Sequence, residues 1–314
     1  MMPSPIILTV YNRPIHTKKT VQALLRNKLA SKSILYIYSD YPKKEEHRED
    51  VRKVREYIHT IKGFKEIHIT ERKQNYGLAK SIIQGVTEVI NKHDKVILIE
   101  DDLVTSPMFL TYMNNMLDKY KDEKKIYSIT GYNFPPKLMR IPKDYKYDIY
   151  FSPRAGSWGW ATWKDRWEKA DWEVKDYKEF LKNRQLQKEF NKGGDDMTDM
   201  LIKQMNGELD SWAIRWCYTH FKKNAYCIYP VKSYVDNIGM DGSGVNCGET
   251  NRYDQNQRIN GLISMYPKEV KEDKKIMKKF KRIYKVEKVE EFLRNLIKEC
   301  SIYRLYRKYR YGGK

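Results

Sequence analysis

Cysteine is scarce, and what there is shows no pattern. Cys217, Cys227, Cys247 and Cys300 are the only four in 314 residues, with no C-x-x-C spacing and no dense framework. In a chain this long they read most simply as reduced thiols, which points to the cytoplasm. Long apolar runs are also missing: nothing approaches the ~20 residues that a bilayer span needs. The apolar stretch Ile6 to Val10 is short, and Asn12-Arg13-Pro14 follows almost directly, so it reads as a strand rather than a signal peptide. No G-x-x-x-x-G-K-[ST] loop occurs, and there is no internal repeat or low-complexity segment. Acidic residues are outnumbered, 41 against 61 basic, for a formal net charge of +20. With 40% hydrophobic and 32% charged residues, the composition is that of a soluble, folded protein with one large core or two modest ones.

The basic excess is concentrated. Residues 267–314 hold 17 Lys/Arg and 7 Asp/Glu, a net +10 and half of the total. Such a tail suits an anionic partner, whether membrane surface, nucleic acid or polyanionic glycan; it also suits a solvated helix face. Val289, Phe292, Leu293, Leu296, Ile297 and Cys300 fall at helical spacing on one side, so the tail can lie on a bilayer or dock that side on the rest of the protein.

The first 130 residues alternate strand and helix. Strands are expected at 6–11, 34–38, 67–69, 96–99 and 126–130. Helices are expected after Pro14, over Lys43 to Thr60 and from Leu78 to Asn91. This order implies a mainly parallel sheet with helices on both faces. After Gly131 the pattern breaks: residues 131–255 are rich in Tyr, Trp, Gly and Asp, as a loop-built, aromatic-lined region would be.

The most informative run is Val96-Ile97-Leu98-Ile99-Glu100-Asp101-Asp102. Four aliphatic residues form a strand buried on both faces, and its C-terminal end opens on the mouth of the sheet, where ligands bind. Three carboxylates there repel one another unless something positive sits among them. A hard divalent cation, Mg²⁺ or Mn²⁺, satisfies that need and in turn holds a phosphate. The alternative is that Asp101 or Asp102 caps the next helix, near Ser106-Pro107.

Other strand ends point to the same edge. Arg13 can neutralise a phosphate or be plain surface charge. Asp40 can accept from a uracil N–H or a ribose hydroxyl, or act as a turn residue before Tyr41-Pro42. Asn75-Tyr76-Gly77-Leu78-Ala79-Lys80 starts a helix whose N-terminus favours anions, with Lys80 in reach of a phosphate or simply solvated. In Ser157-Trp158-Gly159-Trp160-Ala161-Thr162-Trp163 the indoles suit stacking on sugar rings, or a core; Trp163 and Trp167, four apart, read as helix packing. Asp210, flanked by Leu209 and Trp212, is expected to be partly desolvated and so basic enough to deprotonate a sugar hydroxyl. It can equally cap the following helix, and Asp195 and Asp196 are its rivals as base. The glycine-rich segment Gly239 to Asn246 can order over a bound diphosphate or serve equally as a mobile linker. His220 falls on a helix, at a surface position rather than a metal site.

Together these residues resemble GT-A-fold nucleotide-sugar glycosyltransferases. Thr9-Val10-Tyr11-Asn12-Arg13-Pro14 is similar to the opening of the large family-two group. The unit from Ile99-Glu100-Asp101-Asp102-Leu103 through Ser106-Pro107-Met108-Phe109 to Ser128 is similar to the animal Golgi N-acetylglucosaminyltransferase that begins complex N-glycans. So are the Gly159-Trp160 element and the Asp210/Trp212 pair, although that family has two acids before its Trp where Ser211 stands here. The resemblance covers roughly residues 5–250. It implies a GT-A-like α/β domain over 1–266, with a nucleotide half (1–130) and an acceptor half (131–266); the family has nothing comparable to residues 267–314, which read by their own pattern as a basic helical tail.

It further implies transfer from a UDP-sugar to a saccharide or lipid-linked saccharide hydroxyl, with Mn²⁺ or Mg²⁺ on Asp102. Glu100, Asp101, Arg13, Asp40 and Trp160 would serve the donor, beside Lys80 from the reading of its helix start, and Asp210 would be the base of an inverting displacement. If Asp210 is not the base, a retaining mechanism stays open. Such a protein would work in the cytoplasm, free or peripherally on the inner face of the membrane. A sugar-nucleotide nucleotidyltransferase would carry a Gly-rich basic loop where Tyr11-Asn12-Arg13-Pro14 stands. A nucleic-acid-binding protein would explain the charge but not three acids on a buried strand end.

Overall fold

The computed structural model describes residues 2–243, 249–255 and 261–285. Its centre is the strand over Lys95–Glu100 (β4), whose four aliphatic residues are fully buried. β4 pairs in parallel with β1 (Ile6–Val10), β1 with β2 (Ile34–Ser39), and β2 with β3 (Glu66–Glu71). The crossovers are α1 (Pro14–Leu25), α2 (Arg48–His59) and α3 (Leu78–His93). Pro14 opens α1, and α3 buries Ile82, Val86, Val89 and Ile90 against the sheet. These elements follow the expected order with small shifts of boundary: α2 begins at Arg48 rather than Lys43.

The second half is more regular than its sequence suggests. Residues 131–255 supply strands β7 (Ile149–Ser152), β8 (Trp160–Trp163) and β9 (Tyr226–Pro230) to the same sheet. With β6 (Ile126–Thr130), the eight strands run β3-β2-β1-β4-β8-β6-β9-β7. β8 lies antiparallel between β4 and β6, and β9 is parallel to β6. The sheet is GT-A-like, mainly parallel, and flanked by helices. Periodicity missed β8 because all four of its residues are buried, so no alternation marks it. A two-stranded ribbon joins β5 (Leu103–Thr105), directly after the acids, to β10 (Val235–Asn237).

The aromatic residues are core. Trp160 is fully buried and stacks on Trp212 with ring centroids 4.7 Å apart; Trp167 and Trp216 lie within 6.4 Å. Trp163 ends β8 and donates Nε1–H to Leu117 O at 3.0 Å, so Trp163 and Trp167 do not pair on one helix. His220 is neither on the surface nor near a metal. It is fully buried on α9 (Trp212–Lys222), with Nδ1 bonded to Trp216 O at 2.9 Å and Nε2 to Ser128 Oγ at 2.8 Å. Burial pushes its pKa down to about 4, so the imidazole is neutral. Cys217 and Cys227 are buried free thiols; Cys247 and Cys300 fall outside the described residues.

The first part of the basic tail is a helix over 274–285. Asp273 accepts from Ile276 N at its start. Ile276, Met277, Phe280 and Ile283 pack on Tyr132, Phe134, Tyr150 and Tyr229. Here the tail docks its apolar side on the protein. Val289 to Ile297 lie outside the described residues. Among the described residues no helix is long and apolar enough to cross a membrane.

Candidate active site

The β1–β4 register sets Thr9 opposite Glu100. The loop leaving β1 therefore passes over the acids that leave β4. Arg13 reaches across, its Nη2 lying 2.5 Å from Asp101 Oδ1 and 3.0 Å from Asp102 Oδ2. The positive charge that three adjacent acids require is thus supplied, in part, by the protein itself. Burial alone would weaken Arg13 as a base, but the Asp101 and Asp102 charges and hydrogen bonds outweigh it and hold the guanidinium above its ordinary range.

The three acids differ in what surrounds them. Asp101 is 4% exposed and also accepts from Tyr11 N at 3.3 Å, while Thr20 Oγ1 donates to its backbone carbonyl. It anchors the β1–α1 loop rather than facing a ligand. Burial raises its carboxyl, against the pull of Arg13. Glu100 has no hydrogen-bond partner among the described residues. Burial, then the Asp102 and Asp101 charges, push it up to about 8, with Arg13 acting in the opposite sense. Arg13 contacts two of the three carboxyl groups, those of Asp101 and Asp102. Asp102 keeps Oδ1 free of protein partners among the described residues. Neither Asp101 nor Asp102 caps the next helix, α4 (Phe109–Lys119), whose start carries no side-chain cap.

Three acids around one guanidinium, with an open carboxylate oxygen on Asp102, fit a single divalent cation. Among the described residues no group of three or more His, Cys, Asp or Glu side chains gathers into a metal cage. A cation on Asp102 would therefore complete its coordination from ligand oxygens, which a diphosphate provides. Gly239 confirms how close the facing loop comes: a Cβ there would stand 2.2 Å from Asp102 Oδ2 and 2.8 Å from Arg13 Nη1. The same loop is held by Asp241, whose carboxylate meets His16 Nε2 at 3.0 Å. Hydrogen bonds from Ser243 bring Asp241 down to about 2. Residues 244–248 of the glycine-rich segment are outside the described residues.

Asp40, at the end of β2, is 7% exposed and already saturated. It accepts from the backbone N–H groups of Tyr41 (2.9 Å), Tyr76 (2.9 Å) and Gly77 (3.0 Å) and from Asn75 Nδ2 (3.1 Å). A carboxylate offers about four acceptor sites, so Asp40 clamps the loop before α3. Lys80 is exposed, its Nζ 4.6 Å from the Tyr76 ring centre. Trp160 presents no face to this edge, because the indole is sealed in the core.

Asp210 is exposed, contrary to the expectation of a desolvated base. Trp212, the neighbour expected to dry it, turns inward onto Trp160. Asp210 Oδ2 accepts from Ala79 N at 3.3 Å and lies 3.0 Å from where a Gly77 Cβ would be. It therefore sits at the N-terminus of α3, with Oδ1 open. Gly77, at φ +73°, supplies the left-handed turn and the clearance. Ser211 caps α9 instead, accepting from Ile214 N at 3.3 Å. The rivals are engaged: Asp196 forms a two-pronged pair with Arg154 at 2.8 and 2.9 Å, and Asp195 meets Lys281 at 3.4 Å.

One residue escaped the sequence reading. Arg72, just past β3, lies between the rings of Tyr38 and Tyr76 at 5.0 and 4.6 Å. Its Nε and Nη2 are buried with no hydrogen-bond partner. The available signal was a basic residue directly after a strand whose end shares the edge with Asp40.

A mainly parallel sheet with acids at the C-terminal end of its central strand, and a cation-bearing loop crossing them, is the arrangement of a GT-A-like glycosyltransferase. The model of the GNT-I family matches residues 1–192, more than half of the chain, and the protein belongs to that family. No curated protein matches the sequence. Among solved structures, TarS 1-349 of S. aureus is similar at 10% identity and TM-score 0.41, over 74% of this chain and 60% of that one. The mannosyltransferase PcManGT from Pyrobaculum calidifontis, in complex with GDP-Man and Mn²⁺, is similar at 11% identity and TM-score 0.35, over 52% and 46%. The chain spans less than two thirds of either.

Proposed function

We propose that the protein transfers a sugar from a UDP-sugar to a hydroxyl of a saccharide or lipid-linked saccharide, with inversion, in the synthesis of a cell-surface glycan. The observation that carries this reading is the Glu100-Asp101-Asp102 strand end with Arg13 lying across it. In this reading residues 1–130 hold the donor and 131–266 the acceptor. Arg13 and Lys80 face the diphosphate. Arg72, with its unpartnered guanidinium beside the Asp40 clamp, serves the nucleoside, and Asp40 acts by shaping the loop around it. Asp102 would hold Mn²⁺ or Mg²⁺, which supplies neutralisation of the charge on the departing UDP.

Asp210 takes the proton of the acceptor hydroxyl. The freed oxygen bonds to C1 as the C1–O bond to the diphosphate breaks, and a single displacement inverts the anomeric centre. What supports Asp210 over its rivals is its open Oδ1 at the loop clamped by Asp40, whereas Asp195 and Asp196 are held in ion pairs. Incubation with a panel of UDP-sugars and Mn²⁺, reading UDP release by slow hydrolysis, tests the proposal. Release with at least one donor, abolished by EDTA, is expected; none with any donor would overturn it.

A further inference from the structure

The surface over the β9–β7 end of the sheet carries a charge that the catalytic edge does not use. Helix 274–285 buries Ile276, Phe280 and Ile283, and on its opposite side Lys274, Lys278, Arg282 and Lys285 are exposed. None of those four has a partner among the described residues. One flank of the helix is tied to another basic segment: Lys275 Nζ meets Asp144 at 2.5 Å and Lys279 Nζ donates to Arg140 O at 2.8 Å. These contacts add the exposed Lys137, Arg140, Lys143 and Lys146 to the same surface. Of the nearby acids, Asp144 is engaged by Lys275, Asp273 by the helix start and Glu269 by Lys271, which leaves Glu272 among the described residues.

Exposed apolar side chains lie on a separate strap, which packs on the other face of the sheet from the helix. Asp148, two residues beyond Lys146, binds the backbone N–H groups of Ser264 and Met265, both at 2.9 Å. That strap leaves Leu262 56% and Met265 50% exposed.

We propose that the basic surface docks the protein peripherally on an anionic lipid bilayer. A cluster of exposed cations on one docked helix and the segment tied to it matches the phosphates of an anionic headgroup layer. The rings beneath, Phe134, Tyr150 and Phe280, are buried and cannot stack on bases. The proposal is independent of the donor and base assignments.

Co-sedimentation of the full chain with phosphatidylcholine vesicles, with and without phosphatidylglycerol, tests it. Binding is expected only with the anionic lipid, and it should fall with added salt. Reversing Lys274, Lys278, Arg282 and Lys285 to Glu should weaken it at least ~100-fold. Reversing Lys32, Lys62, Lys65 and Lys92, at the opposite end of the sheet, changes the net charge equally and should have little effect. Should the helix variant fail to fold, Lys137→Glu with Arg140→Glu and Lys143→Glu probes the same surface from another segment. No binding at low salt, equal losses in the two reversed sets, or tighter binding to an oligonucleotide than to anionic vesicles would overturn it.

Discussion

Replacing Arg13 by Leu removes the one cation among three acids. Its guanidinium is 17% exposed and contacts Asp101, whose side chain is 6% exposed, so solvent does little to replace it. Breaking such a buried pair costs about 3–5 kcal/mol, because the partner charge is left uncompensated. An exposed pair would cost under ~1 kcal/mol. The sign with pH follows from the acids. Without Arg13 the Asp101 carboxyl rises further in the folded state, while the unfolded chain keeps the ordinary value near ~3.9. The unfolded state then releases its proton first as pH increases. The variant's deficit should therefore be small below pH ~4 and grow as pH rises through the folded-state value. Urea unfolding of wild type, Arg13→Leu, Asp101→Asn and the double variant, at several pH values, measures this. The double variant should recover much of the loss. A cost under ~1 kcal/mol at neutral pH, or a deficit that does not change with pH, would refute the reasoning.

Asp102→Asn should leave the thermal melt unchanged and cut transfer at least ~10²-fold, as loss of one key electrostatic group does; full activity, or activity in excess EDTA, would remove the metal from the mechanism. Asp210→Asn should lower kcat by ~10²–10⁴ with UDP affinity nearly intact; an active Asp210→Asn beside an inactive Asp195→Asn or Asp196→Asn would move the base. Gly239→Ala should weaken UDP binding, measured by titration calorimetry, because a Cβ 2.2 Å from Asp102 Oδ2 must push the loop away. His220, pushed down to about 4 by burial, must take up a proton on unfolding below its ordinary ~6.5. It should cost about 3 kcal/mol of stability as pH falls from 6.5 to 4; unfolding of His220→Gln should lack that share of the pH dependence.

The sequence alone was enough for the sheet's parallel half and for the edge where the site lies. Val96 to Ile99 can only be a strand buried on both faces, and in a βαβ series the strand ends after Val10, Ser39 and Glu100 must come out on one side. That geometry placed Arg13, Asp40 and Glu100 to Asp102 together without coordinates. What each of them does was decided by contacts between residues distant in the chain. Arg13 meets Asp101 across 88 positions and Asp40 meets Gly77 across 37, and whether a carboxylate is open or saturated depends on such partners. Trp160 shows the same limit: an indole suited to a sugar is equally suited to a core, and only the stack with Trp212, brought in by α9, settled it. β8 was invisible because Trp160-Ala161-Thr162-Trp163, buried throughout, has neither an alternation nor the aliphatic run that marked β4. The basic helix was legible as helix and as charge, but its docked side and its junction with residues 137–146 exist only once the chain has folded back on itself.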